Sequence, residues 1–409
     1  MMESNAPALR LMSAADRTAA ASAVAFCCFF AKPLQLALTY LFFQDNPKLG
    51  TAFNIGVSLL GLYLVILLLI AYGFESRKRI WSRPTMWVLA YATLSGVSLL
   101  WSQSESLLHA FGYWIGFAAE IVTVVLILRS GSTGTIAVYA LKGYVYASCV
   151  LALIAWMAPG TWEFRMGQQD YLHPNVIGNQ FAVAALFAFY LGRHFSGARQ
   201  WNWMGIILVF SLLRTLSKAS IVSFLIAGAF YVVRYSKVSL RNQLKVIAVA
   251  TIMVLLSWGL ISAYADVYLE ENNVETVTGR TVIWAVTSEI AAERPWLGHG
   301  FYSIRSVVPN FGEFEAWHAH NDFLQQFFSY GIVGLLLSLV IYASFYRHLR
   351  RSPTSPQLGL ASALLVYALL HGLTDANHAD LMLPSCMILW FAEWVSDDHM
   401  SSIPVVGDR

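Results

Sequence analysis

Six residues able to handle an anion or a proton, Arg280, Arg294, His299, Arg305, His318 and His320, crowd into residues 266–323 of this 409-residue chain. Around them the sequence reads GRTVIWAVTSEIAAERPWLGHGFYSI from Gly279 and WHAHNDFLQQFFSYGIVG from Trp317. A guanidinium grips a phosphate with two parallel hydrogen bonds, and an imidazole exchanges a proton near neutral pH. The segment therefore holds the parts for chemistry on an anionic ligand. The competing reading pairs its arginines with local carboxylates, for Arg294 either Glu289 or Glu293. His318 and His320 also form an HxH pair. With no cysteine and no clear third ligand nearby, that pair makes a thin metal site, and neither a metal nor another cofactor is expected.

The elements that must position these residues are apolar. Only 12% of the chain is charged and 57% is hydrophobic, with a mean hydropathy of +0.58, where a soluble domain carries about a quarter charged residues. Runs such as 56–72, 204–213, 221–233 and 332–346 have almost no charge, and joining neighbouring runs into units of roughly 20 residues gives about twelve spans. Their expected limits are 20–43, 51–73, 85–101, 109–128, 134–158, 175–194, 201–215, 217–234, 244–265, 324–346, 357–373 and 380–397. The fold class is an all-α polytopic integral membrane protein. It divides into an N-terminal bundle of about nine helices over 1–265, one large outer loop over 266–323, and about three helices with a tail over 324–409.

Basic residues set orientation in a membrane. With the N-terminus inside, the inner connections carry Arg77, Lys78, Arg79, Arg83, Arg129, Arg193, Arg199, Arg234, Lys237, Arg241, Lys245, Arg347, Arg350 and Arg351. The outer side carries Lys48, Arg165, Arg214, Lys218, Arg280, Arg294 and Arg305, half as many over much longer exposed sequence. Both termini are thus expected in the cytoplasm, and the outer arginines run against the bias. Each needs a partner, which on this side is a carboxylate or an anionic ligand. Cys27, Cys28, Cys149 and Cys386 fall within spans and build no disulfide framework. The first span, containing Lys32 and Pro33, lacks a small-residue cleavage signature and reads as retained.

Two outer connections are long. The first, 158–174, contains WEFRMGQQDYLHP. The second opens on Asp266, Glu270, Glu271 and Glu275, then shows a helical pattern over 281–292 that sets Trp284, Thr287, Ser288 and Ala291 on one side. Pro295 stops that helix, Gly298 and Gly300 permit a tight turn, and the aromatic stretch 296–302 suits the lipid interface. Elsewhere, His371, Asp375 and His378 share a helix face at the outer end of the eleventh span, with Asp380 close by, and read as a helix end wetted by water, the alternative being a lining of the acceptor path. Glu120 and Lys142 lie within spans, where ionised groups are costly; pairing with each other is the structural reading, and a substrate role is the alternative.

The sequence resembles the polytopic enzymes that include O-antigen ligases, O-antigen polymerases and ExoQ-like exopolysaccharide polymerases. The resemblance rests on Gly279-Arg280 followed by Trp284 and by Arg-Pro-Trp-Leu-Gly-x-Gly at 294–300. It rests further on His320, Asn321, Gly331 and Gly334 in a gapless His-Asn-x9-Gly-x-x-Gly pattern, on LSKAS at 216–220 and on HPNVIG at 173–178. These blocks cover the chain from Arg165 onward; the first 160 residues match only in being hydrophobic. Ligases of the family usually place an arginine in the short basic motif, where this chain has Lys218 with Arg214 one turn earlier. Lysine there is more similar to the exopolysaccharide polymerase branch.

The resemblance implies a GT-C-like fold in the bacterial inner membrane and a periplasmic site that moves a glycan from undecaprenyl diphosphate to a sugar hydroxyl. Arg280 and Lys218 would stabilise charge growing on the leaving diphosphate, and His320 would take the acceptor proton or bind the diphosphate. Arg214, Arg165, His173, Arg294, His318 and Asn321 are substrate-binding candidates. One base and no carboxylate nucleophile in the matched motifs imply direct displacement with inversion. The expected partners are the lipid-linked oligosaccharide donor, a glycan or lipid A core acceptor, membrane lipids and polysaccharide assembly proteins, with no nucleic acid. The rivals are ligation to lipid A core or to protein, and a transporter or flippase. A carrier tends to show related halves and a midplane site, neither of which the sequence displays.

Overall fold

A computed structural model describes residues 13–74, 82–158, 165–168, 172–235, 239–245, 247–249, 251–252, 255, 277–311, 315–376 and 382–396. Its regular elements are helices: α1 Ala14–Phe43, α2 Pro47–Tyr72, α3 Arg83–Val97, α4 Leu107–Leu128, α5 Thr133–Met157, α6 Pro174–His194, α7 Ala198–Thr215 and α8 Lys218–Tyr235. After the second long connection come α9 Val277–Glu293, α10 Ile304–Val307, α11 Asp322–Arg351, α12 Pro356–Thr374 and α13 Met382–Ser396. Starts follow local chemistry. Ser13 and Asp16 form a capping box on α1, and a proline occupies the first turn of α2, α3, α6 and α12, where its missing N–H costs nothing.

Eight of these helices, α1, α2, α4, α5, α6, α8, α11 and α12, are long and apolar enough to cross a membrane. Three more, α3, α7 and α13, coincide with further expected spans at 15, 18 and 15 residues. The expected span 244–265 lies mostly outside the described residues, as do Asp266, Glu270, Glu271 and Glu275. The architecture is that of a polytopic membrane protein. Helices α6 and α12 bury residues on every side, including Ile177, Phe181, Phe187, Leu364 and Tyr367, the mark of a helix enclosed by others. Helix α2 instead exposes Leu59, Leu60, Tyr63, Leu67 and Ile70, an apolar flank suited to lipid.

The expected pairing of Glu120 with Lys142 is corrected by the structure. Glu120 on α4 forms its ion pair with Lys32 on α1 and accepts a hydrogen bond from Ser58 of α2 at 2.6 Å, while the Lys142 ammonium lies over the Tyr139 ring. The proline at 33 follows the lysine within α1. Glu120 therefore ties three helices together in an apolar setting, where a charge left alone is expensive. Glu120→Ala should lower stability by roughly 3–5 kcal/mol, and adding Lys32→Met should restore most of it. Thermal unfolding of the two variants in detergent checks this; equal losses in both would contradict the pairing.

Candidate functional site

Helix α11 does not run unbroken. Gly331 adopts φ +62° and ψ −156°, a conformation essentially confined to glycine. The break frees the carbonyls of Phe328 and Ser329 and the amide of Ile332. All three find partners in the turn after α9: His299 N donates to Phe328 at 2.9 Å, Gly300 N to Ser329 at 2.8 Å, and Ile332 N to the Pro295 carbonyl at 2.8 Å. Gly298 (φ +62°) and Gly300 (φ +87°) permit the turn, and a methyl at Gly331 would overlap the Trp296 backbone. Arg-Pro-Trp-Leu-Gly-x-Gly and the two glycines after His-Asn are therefore halves of one interlock.

The interlock extends to the end of α3. Trp101 Nε1 donates to the Leu297 carbonyl at 3.0 Å, Ser102 to that of Phe301 at 2.6 Å, and Gln103 N to that of His299 at 2.9 Å. His299 is 2% exposed, bonded to Gln103 and to the Ile290 carbonyl and stacked on Phe328. Burial pushes its pKa down, and its role is structural. Trp296 and Leu297 are exposed, as expected of an interfacial stretch, but Phe301 is buried in the core. Helix α9 buries Ile283, Thr287 and Ala291 and turns Ser288 outward.

Anchored there, α9 runs back to place Arg280 against the end of α12, where it donates to the Thr374 carbonyl. The next residue, Asp375, meets the start of α11. His320 Nδ1 donates to Asp375 Oδ1 at 3.3 Å, and His318 Nδ1 lies 4.0 Å from the same oxygen. Asp375 is 5% exposed and His371 2%, which corrects the reading of this helix end as wetted by water; His378 and Asp380 lie outside the described residues. Burial raises the Asp375 pKa, but the His320 hydrogen bond and the nearby imidazoles outweigh it and hold the carboxyl well below the usual range. Donation from Nδ1 to a carboxylate puts the His320 lone pair on Nε2, the orientation a general base needs.

The loop carrying the two histidines is fixed locally. His320 has φ +49°, uncommon for a residue with a side chain, and its amide donates to His318 Nδ1 at 3.2 Å. Gln325 accepts from Ala319 N at 2.8 Å. Asn321 caps α11 by accepting from Leu324 N and donates to the Leu373 carbonyl at 3.0 Å, so its amide couples the histidine loop to α12. His318, His320 and Asp375 also offer three atoms within 4.8 Å of one another. This supplies the third ligand invisible in the sequence, although a cation there would displace the His320–Asp375 hydrogen bond.

A second group joins this one through serines. Ser220, two residues after Lys218, bonds His371 Nε2 at 3.3 Å and accepts from Ser217 at 3.0 Å. Lys218 begins α8 and Arg214 lies in the last turn of α7, both exposed. Arg165 donates to the Thr215 carbonyl at 3.1 Å and to Asn175 Oδ1 at 2.9 Å, while Met166 N donates to the Arg214 carbonyl. His173 caps α6 by accepting from Asn175 N at 3.3 Å. Gly178 sits against Thr215 and Ser217 without room for a methyl. HPNVIG and LSKAS are thus one joint, with Arg165 strapped across it.

Two arginines stand apart. Arg294 ends α9 about 20 Å along the axis from Arg280, too far to share a phosphate with it, and no ion pair joins it to Glu289 or Glu293 among the described residues. Arg305 follows the local-carboxylate reading. It forms a two-pronged pair with Glu315 at 2.9 Å, which lowers the Glu315 pKa, and lies over Trp317 at 4.2 Å. Sequence reasoning missed Asp375, Ser217 and Ser220 as partners. Their signal was the outer-end position of Asp375 and the serines within LSKAS, but the contacts cross between helices distant in sequence.

Comparison with known proteins fits this geometry. The family described as O-antigen ligase matches residues 203–339, the stretch from α7 to the far side of the Gly331 break. An O-antigen ligase of Pseudomonas aeruginosa is 38% identical over 116 residues, 28% of each chain. The exopolysaccharide production protein ExoQ of Rhizobium meliloti is 23% identical over 350 residues, 77% of this chain and 76% of its own length.

The low Asp375 pKa carries a sign. An ionised Asp375 stabilises the fold fully above the unfolded carboxyl value near 3.9, and this is lost as pH falls through the lower folded value. Asp375→Asn should therefore unfold at a lower temperature than wild type between about pH 5 and 8, with the gap closing below about pH 4. Thermal unfolding across pH reads this out, and a gap that widens in acid would refute it. Gly331→Ala should cost about 2–3 kcal/mol or more, because strain and overlap with the Trp296 backbone add.

Proposed function

From its likeness to the O-antigen ligase and polymerase superfamily, we propose that the chain transfers a glycan from undecaprenyl diphosphate to a sugar hydroxyl during cell-surface polysaccharide assembly. The single observation carrying this reading is the buried Asp375 carboxylate aligned on His320 with Arg280 bound to the adjoining carbonyl. In the reaction we infer, the acceptor hydroxyl attacks the anomeric carbon as its proton passes to His320 Nε2. The bond from that carbon to the diphosphate oxygen breaks, and the electron pair leaves with the diphosphate. Arg280 and Lys218 stabilise the growing negative charge, with Arg165, Arg214 and His173 completing the basic lining.

The remaining assignments form part of the same proposal. The chain crosses the bacterial inner membrane twelve times in a GT-C-like arrangement, both termini in the cytoplasm and the site in the periplasm. Residues 1–265, 266–323 and 324–409 serve as bundle, roofing loop and closing helices. Displacement inverts the anomeric centre, and the imidazole and guanidinium groups carry it without a metal in this proposal. We favour chain extension over ligation, because Lys218 stands where ligases carry arginine and the likeness to ExoQ extends over most of both chains. Ligation to lipid A core is the second reading, favoured by the higher identity to the Pseudomonas protein within the shared segment.

Purified full-length protein given a lipid-linked oligosaccharide and a glycan acceptor should form longer chains, insensitive to chelator. His320→Ala should reduce transfer at least about 100-fold while the protein stays in the membrane; wild-type output from that variant would sink the assignment. Arg280→Lys keeps the charge but loses the fork. It should cost about tenfold or more in kcat with folding intact, and unimpaired transfer would mean that two-pronged phosphate contact is unnecessary.

A further inference from the structure

At the end of the bundle opposite His320, a groove of about 1010 Å³ opens between the start of α3, the second half of α11 and the last turn of α13. Arg83, Arg347 and Arg351 line it where these helices begin or end, and Met86, Trp87 and Leu339 line it further along the helix axes. All three arginines are exposed. None has an ion-pair or hydrogen-bond partner among the described residues. Met86, Trp87 and Leu339 are 48%, 41% and 44% exposed. Among the described residues, the groove thus presents guanidinium groups without a carboxylate partner above an apolar wall.

We propose that this groove seats one anionic phospholipid, its phosphate held by Arg83, Arg347 and Arg351 and its acyl chains lying along Trp87 and Leu339. The charge argues for the phosphate: three guanidinium groups gathered in one recess suit a two-pronged anionic partner, and basic recesses between membrane helices hold lipid headgroups. The position argues against the glycan donor as occupant. The 20 residues of α11 after the break at Gly331 span roughly 30 Å, and His320 lies before that break, so a diphosphate at the proposed transfer site lies at the other end of the helix. A second copy related by a two-fold axis through the groove would set the same arginines against one another. An anionic lipid fits both wall and rim, and it bridges α3 to the helix whose opposite end carries the histidine loop.

The test places purified full-length protein in nanodiscs of equal parts phosphatidylglycerol and phosphatidylcholine and counts retained lipid by native mass spectrometry. Wild type should keep one phosphatidylglycerol in preference to phosphatidylcholine. Arg347→Gln with Arg351→Gln should reduce that retention about tenfold or more. Leu339→Trp, which fills the groove and leaves the arginines in place, should reduce it likewise and keeps the test decisive if the arginine variant folds poorly. Equal retention of the two lipids by wild type, or unchanged phosphatidylglycerol on Leu339→Trp, would overturn the proposal.

Discussion

A helix inside an apolar bundle can be broken only if the backbone groups released at the break find new partners, since lipid offers none. Helix α11 is broken at Gly331, and the turn 295–300 takes up the released groups. Much of the architecture at this end of the bundle follows from that exchange. It fixes where α9 ends, and hence where its other end brings Arg280; it also ties the end of α3 to the same turn through Trp101, Ser102 and Gln103. The first half of α11, released from the axis of the second, carries Asn321 and His320 to Asp375.

This arrangement divides the shared motifs into two kinds of residue. Pro295, Gly298, Gly300 and Gly331 shape backbone, as do Gly178 and Asn321, and none of them needs to touch a ligand. Arg280, His318, His320 and Lys218 remain as the groups in those motifs whose side chains could act on a ligand. Arg294 stands in a motif yet lies a helix length from Arg280, so membership of a shared block does not by itself assign a residue to the site. Asp375, outside the 203–339 match, is the carboxylate that orients the imidazole.

What the sequence made legible depended on how local the cause was. Prolines in first turns, the stop at Pro295 and the turn glycines act on their own neighbourhood, and helix limits at α1, α6 and α9 agree with the pattern to within several residues. The cluster of Arg and His against the charge bias pointed to residues 279–320, of which Arg280, His318 and His320 gather near Asp375 while His299 and Arg305 have structural partners. The pairings were not. Glu120 chose Lys32 over Lys142 and Asp375 turned inward to His320, because which faces of distant helices meet is settled by packing between them, not by spacing along one helix.

The break in α11 also constrains the order in which the chain can be assembled. The turn 295–300 leaves the ribosome before Gly331 does, so one half of the joint must wait outside the bundle until the other is made. The segment after the break, apolar and ending in His348, Arg350 and Arg351, can enter the bilayer as an ordinary span. The nine residues 322–330 cannot finish docking until that span is in place and the turn has closed on it. The cluster of His318, His320 and Asp375 is thus the last part of this end of the bundle to form, completed only after the helical segment beyond the break is in place.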